Sequence, residues 1–82
     1  MEYEIYFKPS AFLDAARLPL AAWKDIENEI TNLAEKPFRL ESEKFFKHRH
    51  KHYHELKLDP YYVVYKISVL ERAIRVLKIS RI

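Results

Sequence analysis

Residues 53–67 read YHELKLDPYYVVYKI, two alternating runs on either side of Asp59-Pro60. Successive side chains of a strand point to opposite faces, so Tyr53, Glu55 and Lys57 would share one face and His54, Leu56 and Leu58 the other. Past the Asp-Pro pair, which favours a tight reversal, Val63, Tyr65 and Ile67 take one face and Tyr62, Val64 and Lys66 the other. The stretch therefore predicts an antiparallel pair, strands at about 51–58 and 61–68, with one apolar and one wet face. The remaining elements are arranged round that pair.

Upstream, EYEIYF (2–7) alternates and reads as a first strand, with Tyr3, Ile5 and Phe7 on one face. Ser10 is an expected N-cap for a short helix, AFLDAARL (11–18). Pro19 suits an early position of a second helix running to about Lys36, with Trp23, Ile26, Ile30 and Leu33 as its buried stripe. Pro37 stops that helix, and Phe38 to about Lys47 reads as a linker anchored by Phe45 and Phe46. Downstream, a strand at about 73–80 follows the short link VLER (69–72). Simple alternation puts Arg75, Leu77 and Ile79 towards the helices, Arg75 pairing with Glu27 or Glu29, and Ile74, Val76 and Lys78 on the open face. The order is β-α-α-β-β-β. The expected fold is α+β, a four-stranded antiparallel sheet with two helices packed on one face, forming a single domain over residues 1–82.

Composition narrows the function. A hydrophobic fraction of 49% with 15% aromatic residues is too rich for a disordered chain, and 33% charged residues describe a water-facing surface. With no cysteine, disulfides and thiolate metal sites are excluded. With no glycine, Walker-type and dinucleotide-binding phosphate loops are excluded too, and any turn needing a positive φ is expected to use Asn or Asp. No apolar run is long enough to span a membrane, and MEYEIYF lacks the pattern of a secretory signal, so the expected location is the cytoplasm. Residues 1–43 carry five Lys/Arg and nine Asp/Glu, a net of −4; residues 44–82 carry ten and three, a net of +7. A basic half of this kind fits a polyanionic partner, because each neutralised phosphate releases counterions; a solvated surface with incidental charge is the alternative.

All four histidines fall at every second position of HRHKHYH (48–54). Imidazole pairs suit zinc or nickel, but no cysteine or nearby carboxylate cluster completes a site, so no metal and no cofactor is expected. As proton carriers near neutral pH, His52 and His54 are better candidates. In a regular strand, however, they share the face of Leu56 and Leu58, away from Lys57. The basic strip Lys47, Arg49, Lys51 and His52, together with Lys66 and Lys78, is the candidate surface for nucleic acid. A half-solvated sheet whose wet side is simply polar would look the same.

Four stretches together resemble the RelE/ParE toxin superfamily of bacterial and archaeal toxin–antitoxin modules: YEIYFKPSAFLDAARL (3–18), ITNLAEKPFRL (30–40), YHELKLDPYYVVYKI (53–67) and AIRVLKISR (73–81). Family members commonly carry Tyr-Arg-Val-x-Tyr where this chain has Tyr61-Tyr62-Val63-Val64-Tyr65. The resemblance implies the toxin of a type II module, RelE-like, inhibiting translation by metal-independent cleavage of ribosome-bound mRNA, which makes RNA the nucleic acid expected on the basic strip. It also implies a cognate antitoxin as partner, in a heterodimer or heterotetramer. The catalytic candidates are then Lys57, at a family basic position; Tyr62, in the place of the arginine; Arg81, within one residue of a basic position; and His54. Glu55 stands where another lysine is common, and the sequence stops at Ile82, without the tail that brings a tyrosine or histidine to active RelE-like members. The alternative reading is a ParE-like or catalytically degenerate member that binds a protein target, such as DNA gyrase, or only its antitoxin.

Overall fold

The computed structural model describes residues 2 to 36, 44 to 48 and 51 to 81, with side-chain surroundings for 2 to 36 and 53 to 81. In chain order the elements are β1 (Glu4–Phe7), α1 (Pro9–Ala16), α2 (Leu20–Glu35), β2 (Lys44–His48), β3 (Lys51–Leu58), β4 (Tyr61–Ser68) and β5 (Ala73–Arg81). Strands β3 and β4 form where the alternation puts them and pair antiparallel, with Leu56 opposite Val63 and Lys57 opposite Tyr62. A cis Asp59–Pro60 peptide lies in the turn between them.

Both helices begin at prolines. α1 has Pro9 in its first turn, where a missing N–H costs nothing, and Lys8 at the cap makes no side-chain hydrogen bond. Ser10, expected as the cap, lies inside the helix instead. α2 follows Pro19, whose carbonyl accepts the Trp23 N–H at 2.9 Å. Its stripe of Ile26, Ile30 and Leu33 is buried, with Ala34 beside it. Burying each of these branched side chains contributes about 1.5–3 kcal/mol, so packing rather than propensity holds the helix. Trp23 is half-buried at the margin and meets the Phe7 ring edge-on, with centroids 6.1 Å apart.

The sheet has five strands in the order β1-β5-β4-β3-β2, where four antiparallel strands were expected. The α+β class and the two helices over one face stand, since Ala11, Ile26, Ile30 and Leu33 pack in one core with Leu56, Val63, Tyr65, Ile74, Val76 and Ile79. The extra strand is β2, formed by the end of the expected linker and paired antiparallel with β3. The histidine run therefore crosses a chain reversal: His48 ends β2 in register with Lys51, while His52 and His54 belong to β3. Arg49 and His50 lie outside the described residues. β1 runs parallel to β5, with Ile5 beside Ile74 and Phe7 beside Val76. Alternation along a strand carries no information about its partner's direction, and the long connection between β1 and β5 permits a parallel pairing.

A β-bulge divides β5. The register steps from Val64 opposite Lys78 to Tyr65 opposite Val76, which leaves Leu77 as the extra residue. Ile74 and Val76 before the bulge and Ile79 after it are all buried, whereas Arg75 and Lys78 are exposed. The expected facing of Ile74, Arg75 and Val76 is thus reversed. Arg75 does not reach helix α2; it bridges to Glu71 at 2.9 Å. The β1 ladder ends at Phe7 opposite Val76, and there Asp14 of α1 takes over, its Oδ2 accepting the Ile79 N–H at 3.3 Å. At the β4–β5 turn Arg72 adopts a left-handed φ of 52°, so this glycine-free chain uses arginine where Asn or Asp was expected.

Candidate functional site

With the helices on one side, the other side of the sheet is open among the described residues, and the register sorts its side chains into rows across the strands. At one end Lys57 of β3, Tyr62 of β4 and Ser80 of β5 lie side by side. In the next row Glu55, Val64 and Lys78 are neighbours. Towards the far end of the strands Lys66 of β4 stands opposite Arg75 of β5, which in turn neighbours Tyr6 of β1. Directly opposed side chains in such a ladder have Cβ atoms roughly 4.5–5.5 Å apart, near enough to act on one ligand group.

Lys57, Tyr62, Lys66 and Lys78 therefore share the open face, as alternation indicated. His54 does not join them. Its ring stacks on the buried Tyr65 ring, with centroids 5.2 Å apart and planes 15° from parallel, on the side of Leu56. Arg81 is exposed at the end of β5 but sits opposite Tyr61, which packs on the core, so its phase is that of the helix side. The four catalytic candidates thus split, with Lys57 and Tyr62 together and His54 and Arg81 away from them. Of the RNA-binding candidates, Lys47 and His52 are in register with each other across β2 and β3. Lys51 opens β3, and the side chains of these three are outside the described surroundings, as is the whole of Arg49. Among the described residues no group of three His, Cys, Asp or Glu could hold a metal.

Two open-face residues, Arg75 and Tyr6, escaped the sequence reading. Arg75 lays its guanidinium over the Tyr6 ring at 5.4 Å from the centroid, while its Nη2 meets Glu71. Lys66 holds its Nζ 6.0 Å from the Tyr53 ring centroid. The Tyr6 hydroxyl donates to Glu4 Oε2 at 3.0 Å. That hydrogen bond, helped by the carboxylate's negative charge, holds the phenol above its ordinary value near 10. The signal for Arg75 was in the sequence: a buried arginine is costly, whereas Ile74, Val76 and Ile79 make a consistent apolar set once one residue is allowed to bulge.

No family model matches the chain, and no curated protein sequence matches it. Solved structures do. The chain is 17% identical to a chain of the RelBE2 toxin–antitoxin complex from Mycobacterium tuberculosis, covering 100% of this chain and 93% of that one with a TM-score of 0.86. Against the intact RelBE toxin–antitoxin complex of Escherichia coli the identity is 18%, the coverage 98% and 96%, and the TM-score 0.83. A YoeB/ParE toxin from Agrobacterium tumefaciens matches at 17% identity over 96% of this chain and 98% of that one, with a TM-score of 0.79. Across bacterial structures of both types, the arrangement of helices and sheet described above is the fold of the RelE/ParE toxins.

Proposed function

We propose that this chain is the toxin of a type II toxin–antitoxin module and that its open sheet face holds mRNA on the ribosome for cleavage, in the cytoplasm, until a cognate antitoxin covers it. The observation that carries the reading is a toxin fold whose helix-free face displays Lys57, Lys66, Arg75 and Lys78 together. In the reaction, the RNA's 2′-hydroxyl loses its proton and attacks the adjacent phosphorus. The P–O5′ bond breaks, and the 5′ oxygen takes up a proton as a cyclic phosphate remains. Negative charge grows on the phosphoryl oxygens and on the leaving oxygen, so fixed cations in a partly dry site are what this chemistry uses. Lys57 is the cation in the row with Tyr62 and Ser80, and this row is the place for the phosphate.

Inducing the gene alone should arrest growth, and an adjacent small reading frame should rescue it. Absence of both the arrest and the rescue would overturn the toxin reading. New mRNA 3′ ends on translating ribosomes are the expected sign of cleavage, and Lys57→Ala should reduce their rate of appearance by about 100-fold, the usual effect of removing one positioned donor. Two observations favour a second reading, in which the chain is ParE-like or degenerate and binds a protein such as DNA gyrase, or only its antitoxin. Glu55 puts a negative charge on the open face, and His54, the imidazole nearest the lysine row in sequence, turns to the core side. Growth arrest without new mRNA ends would select that reading.

A further inference from the structure

Lys66 and Arg75 stand directly opposite each other across β4 and β5. Like charges in that position repel, and nothing in the core requires them, since both side chains point to the open face. Glu71 meets Arg75, but among the described residues no carboxylate pairs with Lys66, whose ammonium is instead 6.0 Å from the Tyr53 ring centroid. An aromatic ring flanks the pair at each end: Tyr6, 47% exposed, under Arg75, and Tyr53 beside Lys66. A concavity of about 310 Å³ opens next to them, lined by Lys66, Ser68, Glu71 and Arg75 among others. Two adjacent cations between two tyrosine rings suit an anionic group whose neighbours are flat. That describes the sugar–phosphate backbone and bases of single-stranded nucleic acid better than it describes an acidic peptide.

The row lies four residues along β4 from Tyr62, about 13 Å at the usual strand rise of ~3.3 Å per residue. We propose that Tyr6, Arg75, Lys66 and Tyr53 form a second subsite for single-stranded RNA, gripping a backbone phosphate and stacking a base a short distance from the Lys57–Tyr62 row. This rests on the reading of the open face as the RNA surface. Arg75 and Lys66 clamp the phosphate, and the rings give the stacking, which is tolerant of sequence because every base has a π-face. The subsite adds length-dependent affinity: a strand long enough to reach both rows binds more tightly than one confined to the first.

The test is fluorescence anisotropy with the full chain and 2′-O-methyl RNA, which cannot cleave itself, as a hexanucleotide and as a dinucleotide with a single internal phosphate. The Lys66→Gln/Arg75→Gln pair should weaken hexanucleotide binding by at least tenfold, and by clearly more than it weakens dinucleotide binding. It should also flatten the salt dependence of hexanucleotide affinity. Lys66→Arg/Arg75→Lys, which keeps both charges, should retain tight binding, and Tyr6→Leu should cost several-fold through lost stacking. If the Gln pair, shown folded by circular dichroism, binds the hexanucleotide like the parent while Lys57→Gln does not, the subsite is overturned and the RNA reading survives. If the parent chain binds neither oligonucleotide but captures an acidic peptide of similar length, the RNA reading fails and the subsite with it.

Discussion

Asp14 ties the first helix to the last strand by a hydrogen bond, its carboxylate accepting the Ile79 N–H beyond the point where β1 stops covering β5. Without it, a partly buried strand N–H faces a helix with no acceptor. Asp14→Ala should therefore cost about 1 kcal/mol in urea unfolding, while Asp14→Asn, which keeps a side-chain carbonyl, should cost less. Equal, negligible effects from both would mean the contact does not matter. Tyr6 offers a second test on one residue. Its folded-state ionisation is raised by the hydrogen bond to Glu4 and by that carboxylate's charge, so folding favours the protonated phenol. The associated stability is present below the ordinary tyrosine value near 10 and is lost as pH rises through the higher folded value. Phenolate absorbance, taken as parent minus Tyr6→Phe, should show this tyrosine ionising late, and Glu4→Gln should bring it earlier. A Tyr6 that titrates early in both would contradict the assignment.

At the scale of elements, what the sequence showed depended on regular alternation. β3 and β4 fall at 51–58 and 61–68, as read from YHELKLDPYYVVYKI, because two clean alternations meet at a proline turn. The stripe of α2 was equally legible, and so was the turning of His54 away from Lys57, which follows from parity alone. β2 was not legible: in KFFKH the adjacent Phe45 and Phe46 break the alternation that marks a strand. In β5 the extra residue shifts the phase halfway, which sent Arg75 inward on paper and hid one end of the candidate site. Leu77 is the residue that causes this, and removing it tests the assignment. With Leu77 deleted, Ile74, Val76 and Ile79 alternate regularly with Arg75, Lys78 and Ser80, so every other side chain keeps its face. Deleting Val64 on the facing strand instead should turn Tyr65 out of the core. The Leu77 deletion should still melt cooperatively by circular dichroism and the Val64 deletion should not; equal damage would refute the bulge as the phase shifter.

For the whole molecule, charge and topology divide the chain at nearly the same place. The acidic residues 1–43 supply β1 and both helices, and the basic residues 44–82 supply the other four strands. The charge separation that the sequence displays along its length thus becomes a difference between layers, which favours steering of a polyanion to the sheet at low salt. The parallel pairing of β1 with β5 cuts across that division and has a consequence for synthesis. Local pairs such as β3–β4 can close early, but among the described strands β1 pairs with β5 alone, the last in chain order. During translation the first strand made must wait for the last to emerge before it can dock. Contact between Tyr6 and Arg75 is accordingly among the latest to form, and a nascent chain still holding β5 in the exit tunnel of its own ribosome has only part of its open face.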